Sequence, residues 1–100
     1  MKIKVMELRK KNGKYPERIL DYKVSNNITN ETINELLKEN SPLGISGYTF
    51  DEIQLGEPEE VVMYDGECKI IALFTKYSKP LGYCIRIREV ETKTYNGEEI

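Results

Sequence analysis

One hundred residues make at most one domain, and 39% hydrophobic against 32% charged residues describe a globular chain with a well-solvated surface. The longest apolar run, Ile70-Ile71-Ala72-Leu73-Phe74, is far shorter than the roughly 18 residues a bilayer-spanning helix needs. Histidine is absent, which excludes imidazole acid–base catalysis, Ser-His and Cys-His nucleophiles and the commonest transition-metal ligand.

The formal charge of −2 is segregated along the chain: residues 1–24 carry a net +5, residues 25–67 a net −9 and residues 68–100 a net +2. Folding can lay these blocks side by side so that they neutralise one another, and a face of a single sign would instead await a charged partner. Met1-Lys2-Ile3-Lys4 alternates charge with apolar residues and leads into no apolar signal core, so a cytoplasmic setting is expected. Cys68 and Cys84 fit no zinc spacing and read as buried, reduced thiols. No metal site and no cofactor are expected.

The first predicted element is a hairpin about Asn12-Gly13, the residue pair of a type I′ turn. In that register Lys4 faces Asp21, Val5 faces Leu20, Met6 faces Ile19 and Glu7 faces Arg18, each pair contributing about 0.2–1 kcal/mol. Ile33, Leu36 and Leu37 then follow helical spacing. Thr29 suits the N-cap, Ile28 can staple onto Ile33, Asn40 suits a left-handed C-terminal cap and Pro42 ends the helix. Residues 49–55 are ambiguous. Tyr48 and Phe50 alternate like a strand, whereas Thr49 with Glu52 forms a capping box for a short helix, which is the preferred reading.

From residue 59 the chain reads as a meander. Asp65-Gly66 turns Val61–Tyr64 into a central strand, Glu67–Tyr77, that is apolar on both faces over Cys68–Phe74. A turn centred on Pro80 leads into Tyr83–Val90 and sets Thr75 against Ile85, Leu73 against Ile87, Phe74 against Arg86 and Ala72 against Arg88. That register holds Cys68 and Cys84 far apart. The predicted order is β-β-α-(α/β)-β-β-β. It describes an α+β domain over residues 1–95, an antiparallel sheet of five to six strands curling into a partly open barrel with one main helix packed on it. Residues 96–100 read as a frayed tail.

Several residue groups could carry function. Arg9, Lys10, Lys11, Lys14 and Tyr15 surround the hairpin tip, where cations can contact phosphates and Tyr15 can stack on a base. Arg86 and Arg88 share one face of their strand and could extend that basic surface. Tyr64, Tyr77 and Tyr83 gather near turns of the meander, and tyrosine is favoured at protein interfaces. Glu67-x-Lys69 with Asp51 upstream has the residue types of a Mg²⁺-dependent nuclease of the PD-(D/E)xK kind. Asp51 lacks the preceding proline, and acid-x-Lys also occurs at Asp21-x-Lys23 and Glu91-x-Lys93.

The stretch 56–88, through Val61-x-Met63-Tyr64-Asp65-Gly66 and Ala72-Leu73-Phe74, resembles the sheet of PUA-like RNA-binding domains in its meander. The two strands preceding the helix depart from that pattern, and no residue role carries across. The reading preferred from sequence is a small non-enzymatic protein-interaction module of adaptor or inhibitor type. Its contacts would be exposed sheet edges, tyrosines and the acidic middle segment, with a homodimer as one arrangement of a free edge. Stand-alone domains of this kind occur in viruses and phages. The alternative is a DNA- or RNA-binding domain using residues 9–15, and a metal-dependent nuclease comes third. No membrane partner is expected.

Overall fold

A computed structural model of the protein describes residues 2–12, 15–40, 45, 47–63 and 66–91. Strands β1 (Lys2–Asn12) and β2 (Tyr15–Ser25) precede helix α1 (Asn30–Asn40), and a 3₁₀ turn (Phe50–Glu52) leads into β3 (Ile53–Leu55). Strands β4 (Glu59–Met63), β5 (Gly66–Thr75) and β6 (Pro80–Glu91) follow. All pairings between these strands are antiparallel, in the order β2-β1-β6-β5-β3, with β4 also on β5. The sheet curls into a half-barrel, the α+β architecture expected from the sequence.

β3 and β4 share one side of β5. Pairing runs from Ile53↔Thr75 to Leu55↔Leu73, continues through the Gly56 N–H on the Ala72 carbonyl (2.8 Å), and resumes at Glu59↔Ile70. The extra residue between Leu55 and Glu59 makes a bulge. Glycine is required at position 56, because a Cβ there would lie 2.6 Å from Phe74 Cε2 and 3.2 Å from the Ala72 carbonyl oxygen.

Strand alternation divides the sheet into two faces. Met6 and Leu8 of β1, Leu81 and Ile85 of β6, and Ile71 and Leu73 of β5 meet Ile33, Leu36 and Leu37 of α1 in the main core. The helix begins where Thr32 Oγ1 donates to the Thr29 carbonyl and accepts from the Thr29 N–H, both at 2.8 Å. Ile28 packs on the same core, as its predicted staple role requires. Asn40 is not a left-handed cap. It ends the helix by donating Nδ2 to the Leu36 carbonyl (2.8 Å) and to Asp21 Oδ2 (3.0 Å). With Lys23 Nζ on Glu39 Oε1 (2.7 Å), that contact gives the helix a polar seam along β2 beside its apolar seam on β1. The Glu39 carboxylate raises the Lys23 pKa.

Three local expectations are corrected. The hairpin does not take the predicted register: Asn12 pairs with Tyr15, two irregularities follow, and Lys4, Val5, Met6 and Glu7 face Ser25, Val24, Lys23 and Tyr22. The local cross-strand pairs were outweighed by the contacts β1 makes with β6 on its other side. The β5–β6 turn is also tighter than predicted. The Thr75 N–H donates to the Lys79 carbonyl (2.8 Å), and Thr75 Oγ1 accepts from the N–H groups of Tyr77 and Lys79 (both 3.2 Å). Pro80 thereby becomes the first residue of β6 opposite Phe74, and Arg86 faces Ile70 instead of Phe74. Third, the β4–β5 pairing closes at Met63↔Gly66, so Gly66 is a paired residue with φ +113° and not a turn centre.

The ambiguous stretch contains both readings. Thr49 donates its N–H (3.2 Å) and hydroxyl (2.9 Å) to Glu52 Oε1, lowering the Glu52 pKa, and the strand starts at the next residue. Residues 1, 13, 14, 41–44, 46, 64, 65 and 92–100 lie outside the described residues. The expectations for Gly13, Pro42, Asp65 and residues 96–100 fall there. Leu36 has no exposed surface, so Leu36→Ala is expected to lower stability by about 2–5 kcal/mol in urea denaturation.

Candidate functional site

The face turned away from α1 carries charge inside it. Glu7 of β1 lies directly opposite Arg86 of β6, and the two are 0% and 3% exposed. Arg86 Nε donates to Glu7 Oε1 at 2.7 Å, and Arg9 Nη1 reaches the same oxygen at 3.1 Å. Arg88 Nε lies 3.9 Å from Glu7 Oε2. Strand geometry explains the convergence, since Glu7 and Arg9 are two apart on β1 and Arg86 and Arg88 two apart on β6. Arg86 Nη1 also reaches Met63 Sδ of β4 at 3.5 Å.

Three sequence-predicted site residues, Arg9, Arg86 and Arg88, therefore come together around an acid that the sequence reading had assigned to Arg18. The expected exposed strip through Arg86 is corrected, because that guanidinium is interior. Cys68, Ile70 and Cys84 form a small buried apolar group beside the cluster. Cys68 lies opposite Arg88 and Cys84 opposite Ala72, four residues apart along the β5–β6 ladder, so the two cysteines stand apart as expected, although in a different register. Burial pushes the Cys84 thiol pKa up.

The remaining predicted residues do not form one patch. Lys10 is exposed opposite Tyr83, Lys11 is half-buried, and Lys14 and the Tyr15 side chain lie outside the described residues. Tyr83 packs half-buried against the main core, whereas Tyr77 is 75% exposed on the β5–β6 turn. Tyr64 lies outside the described residues. Asp51 and Glu67 are also separated. Asp51 precedes β3, which pairs at Thr75, and Glu67 is eight residues away along β5, roughly 26 Å of strand. Among the described residues no three His, Cys, Asp or Glu side chains form a metal-holding group.

Sequence reasoning missed the outer row of β2. Leu20, Tyr22 and Val24 are 39%, 43% and 42% exposed on an eleven-residue edge strand. Among the described residues β2 pairs only with β1. The signal was present in the alternation Leu20-x-Tyr22-x-Val24, but alternation alone reads as an inward face. Asp21 Oδ1 accepts the Tyr22 backbone N–H at 2.8 Å, so that donor points outward, along the free edge. An open groove of about 550 Å³ is bordered by Lys4, Lys69 and Arg88 and by Glu60, Glu67 and Glu89, with no excess of one sign that would select an ion.

No protein-family model matches this chain, and neither a curated protein nor a solved structure matches it at a significant level.

Glu7→Ala is expected to cost about 3–5 kcal/mol in urea denaturation, because it leaves Arg86 buried without its counter-charge. The double replacement Glu7→Leu/Arg86→Met is expected to recover part of that loss, since Arg9 and Arg88 still lose the acid, and the cycle is expected to be non-additive. Cys84 should resist thiol reagents at neutral pH in the native protein and react at once in denaturant, since burial withholds both access and thiolate.

Proposed function

We propose that this protein is a non-enzymatic protein-binding module whose docking element is the free edge of β2. The observation that carries the reading is the row Leu20, Tyr22 and Val24 on an edge strand of eleven residues. A long edge with unburied apolar side chains is a template for strand addition. Val62, 79% exposed, lies on β4 at the opposite side of the sheet, so among the described residues the large exposed hydrophobics other than Tyr77 belong to outer strands. The nucleic-acid alternative retains Lys10 and Lys11, but Arg9 and Arg86 are engaged with Glu7.

Two double variants separate the readings, Leu20→Glu/Val24→Glu and Lys10→Glu/Lys11→Glu. Leu20, Val24 and Lys10 are exposed and Lys11 is half-buried, so thermal melts serve to check that both variants are folded. As immobilised baits, the first should lose its bound protein and the second should retain it. Fluorescence-anisotropy titrations with short single- and double-stranded DNA and RNA should show no binding at low salt. Micromolar binding that falls steeply with salt and vanishes in the lysine variant would overturn the protein-binding reading in favour of phosphate contacts.

A further inference from the structure

We infer that the occupant of the β2 edge is a second copy of this chain, added antiparallel about a twofold axis through Tyr22 and perpendicular to the sheet. The inference rests on the protein-binding reading of β2 given above. A twofold strand pair must be self-complementary, since residue i faces residue j wherever j faces i. With Tyr22 on the axis, Leu20 faces Val24 of the second copy, Val24 faces Leu20, and the two Tyr22 rings meet.

The other side of the same strand carries the charges. In this register Asp21 faces Lys23 of the second copy and Lys23 faces Asp21. One alignment therefore sets apolar against apolar on one face and acid against base on the other. An axis on Asp21 would set that carboxylate against itself, and an axis on Lys23 would set two ammonium groups together. β2 thus specifies its own partner and register.

The backbone suits this pairing. Tyr22 directs its N–H out of the sheet, where Asp21 Oδ1 accepts it at 2.8 Å. On pairing, the Tyr22 carbonyl of the second copy takes that donor, and the Asp21 carboxylate passes to Lys23 Nζ of the second copy. Lys23 is a half-buried side chain whose ion pair with the exposed Glu39 (2.7 Å) lies at the surface, and exchanging one such pair for another costs little. Pairing of β2 with β1 is regular from Lys4↔Ser25 to Leu8↔Asp21, so the segment that would receive the second copy is straight up to the irregularity beside Leu20. The product is one continuous sheet with both α1 helices on the same face.

Sedimentation equilibrium over a wide concentration range tests the inference, with circular dichroism confirming that each variant is folded. The wild-type chain is expected to dimerise in the micromolar range and Leu20→Glu/Val24→Glu to be monomeric. Asp21→Lys and Lys23→Glu should each weaken self-association by about tenfold, because each sets like charges opposite one another. A 1:1 mixture of these two variants should restore dimers, since each substituted side chain then meets its opposite charge. A wild-type chain that stays monomeric at high micromolar concentration overturns the inference, as does a mixture no tighter than its components. If the wild type is monomeric while Leu20→Glu/Val24→Glu still strips a different protein from the bait, the second-copy inference fails and the protein-binding reading of β2 stands. If that variant changes neither self-association nor capture, both fail.

Discussion

The structure depends on the contact between Glu7 and Arg86. A carboxylate with no exposed surface is strongly unfavourable unless counter-charges and hydrogen bonds replace its hydration. Arg86 supplies both at 2.7 Å from the strand directly opposite, and Arg9 adds a second bond. The pair joins residues 79 apart in sequence and holds the first strand against the last. It also resists slippage. Moving β1 by two residues along β6 would set Glu7 against Cys84 and bury Arg86 opposite Val5, or set Arg9 against Arg86 with like charges facing. An apolar pair of equal volume would be as stable or more so, but it would discriminate less between these alignments.

Placing β1 beside β6 determines what remains at the margins. With both strands in the middle of the sheet, β2 falls on one edge, and the interrupted pair β3 and β4 falls on the other. The segment from β2 to β3 must then cross the sheet, and α1 makes that crossing over the face presented by Met6, Leu8 and Ile85. The helix is narrower than the sheet. Its apolar stripe covers β1, β6 and β5, and its flank meets β2 through the polar contacts of Asp21 with Asn40 and Lys23 with Glu39. β2 is consequently held from the inside by β1 and the helix, while its outer row faces solvent.

The same arrangement predicts how the chain folds. The β1–β2 and β5–β6 hairpins form from neighbouring segments, but the β1–β6 pairing closes nearly the whole chain. Non-local pairing of that kind slows folding, because loop entropy is lost before the contacts form. Until it closes, Glu7 remains hydrated and the main core lacks one of its two central strands.

Much of the architecture was legible in the residues. Helical spacing of Ile33, Leu36 and Leu37 marked α1, the Thr49–Glu52 box marked the short turn, and the doubly apolar run 68–74 marked the central strand. These signals are local: each is a periodicity or a cap whose energy resides within a few residues. The registers of the three hairpins were not legible, because turn type and cross-strand pairs are worth only a few tenths to one kcal/mol each. A β1 alignment that buries Glu7 against Arg86 outweighs them. Nor could the sequence separate the inward row Val5 and Glu7 from the outward row Tyr22 and Val24, since both alternate alike and only strand order decides which is covered. By itself the sequence determined the elements and their two-faced character, through short-range periodicity and capping. The tertiary structure alone decided that an acid would be interior and an apolar row exposed, because burial depends on which strands become neighbours across the length of the chain.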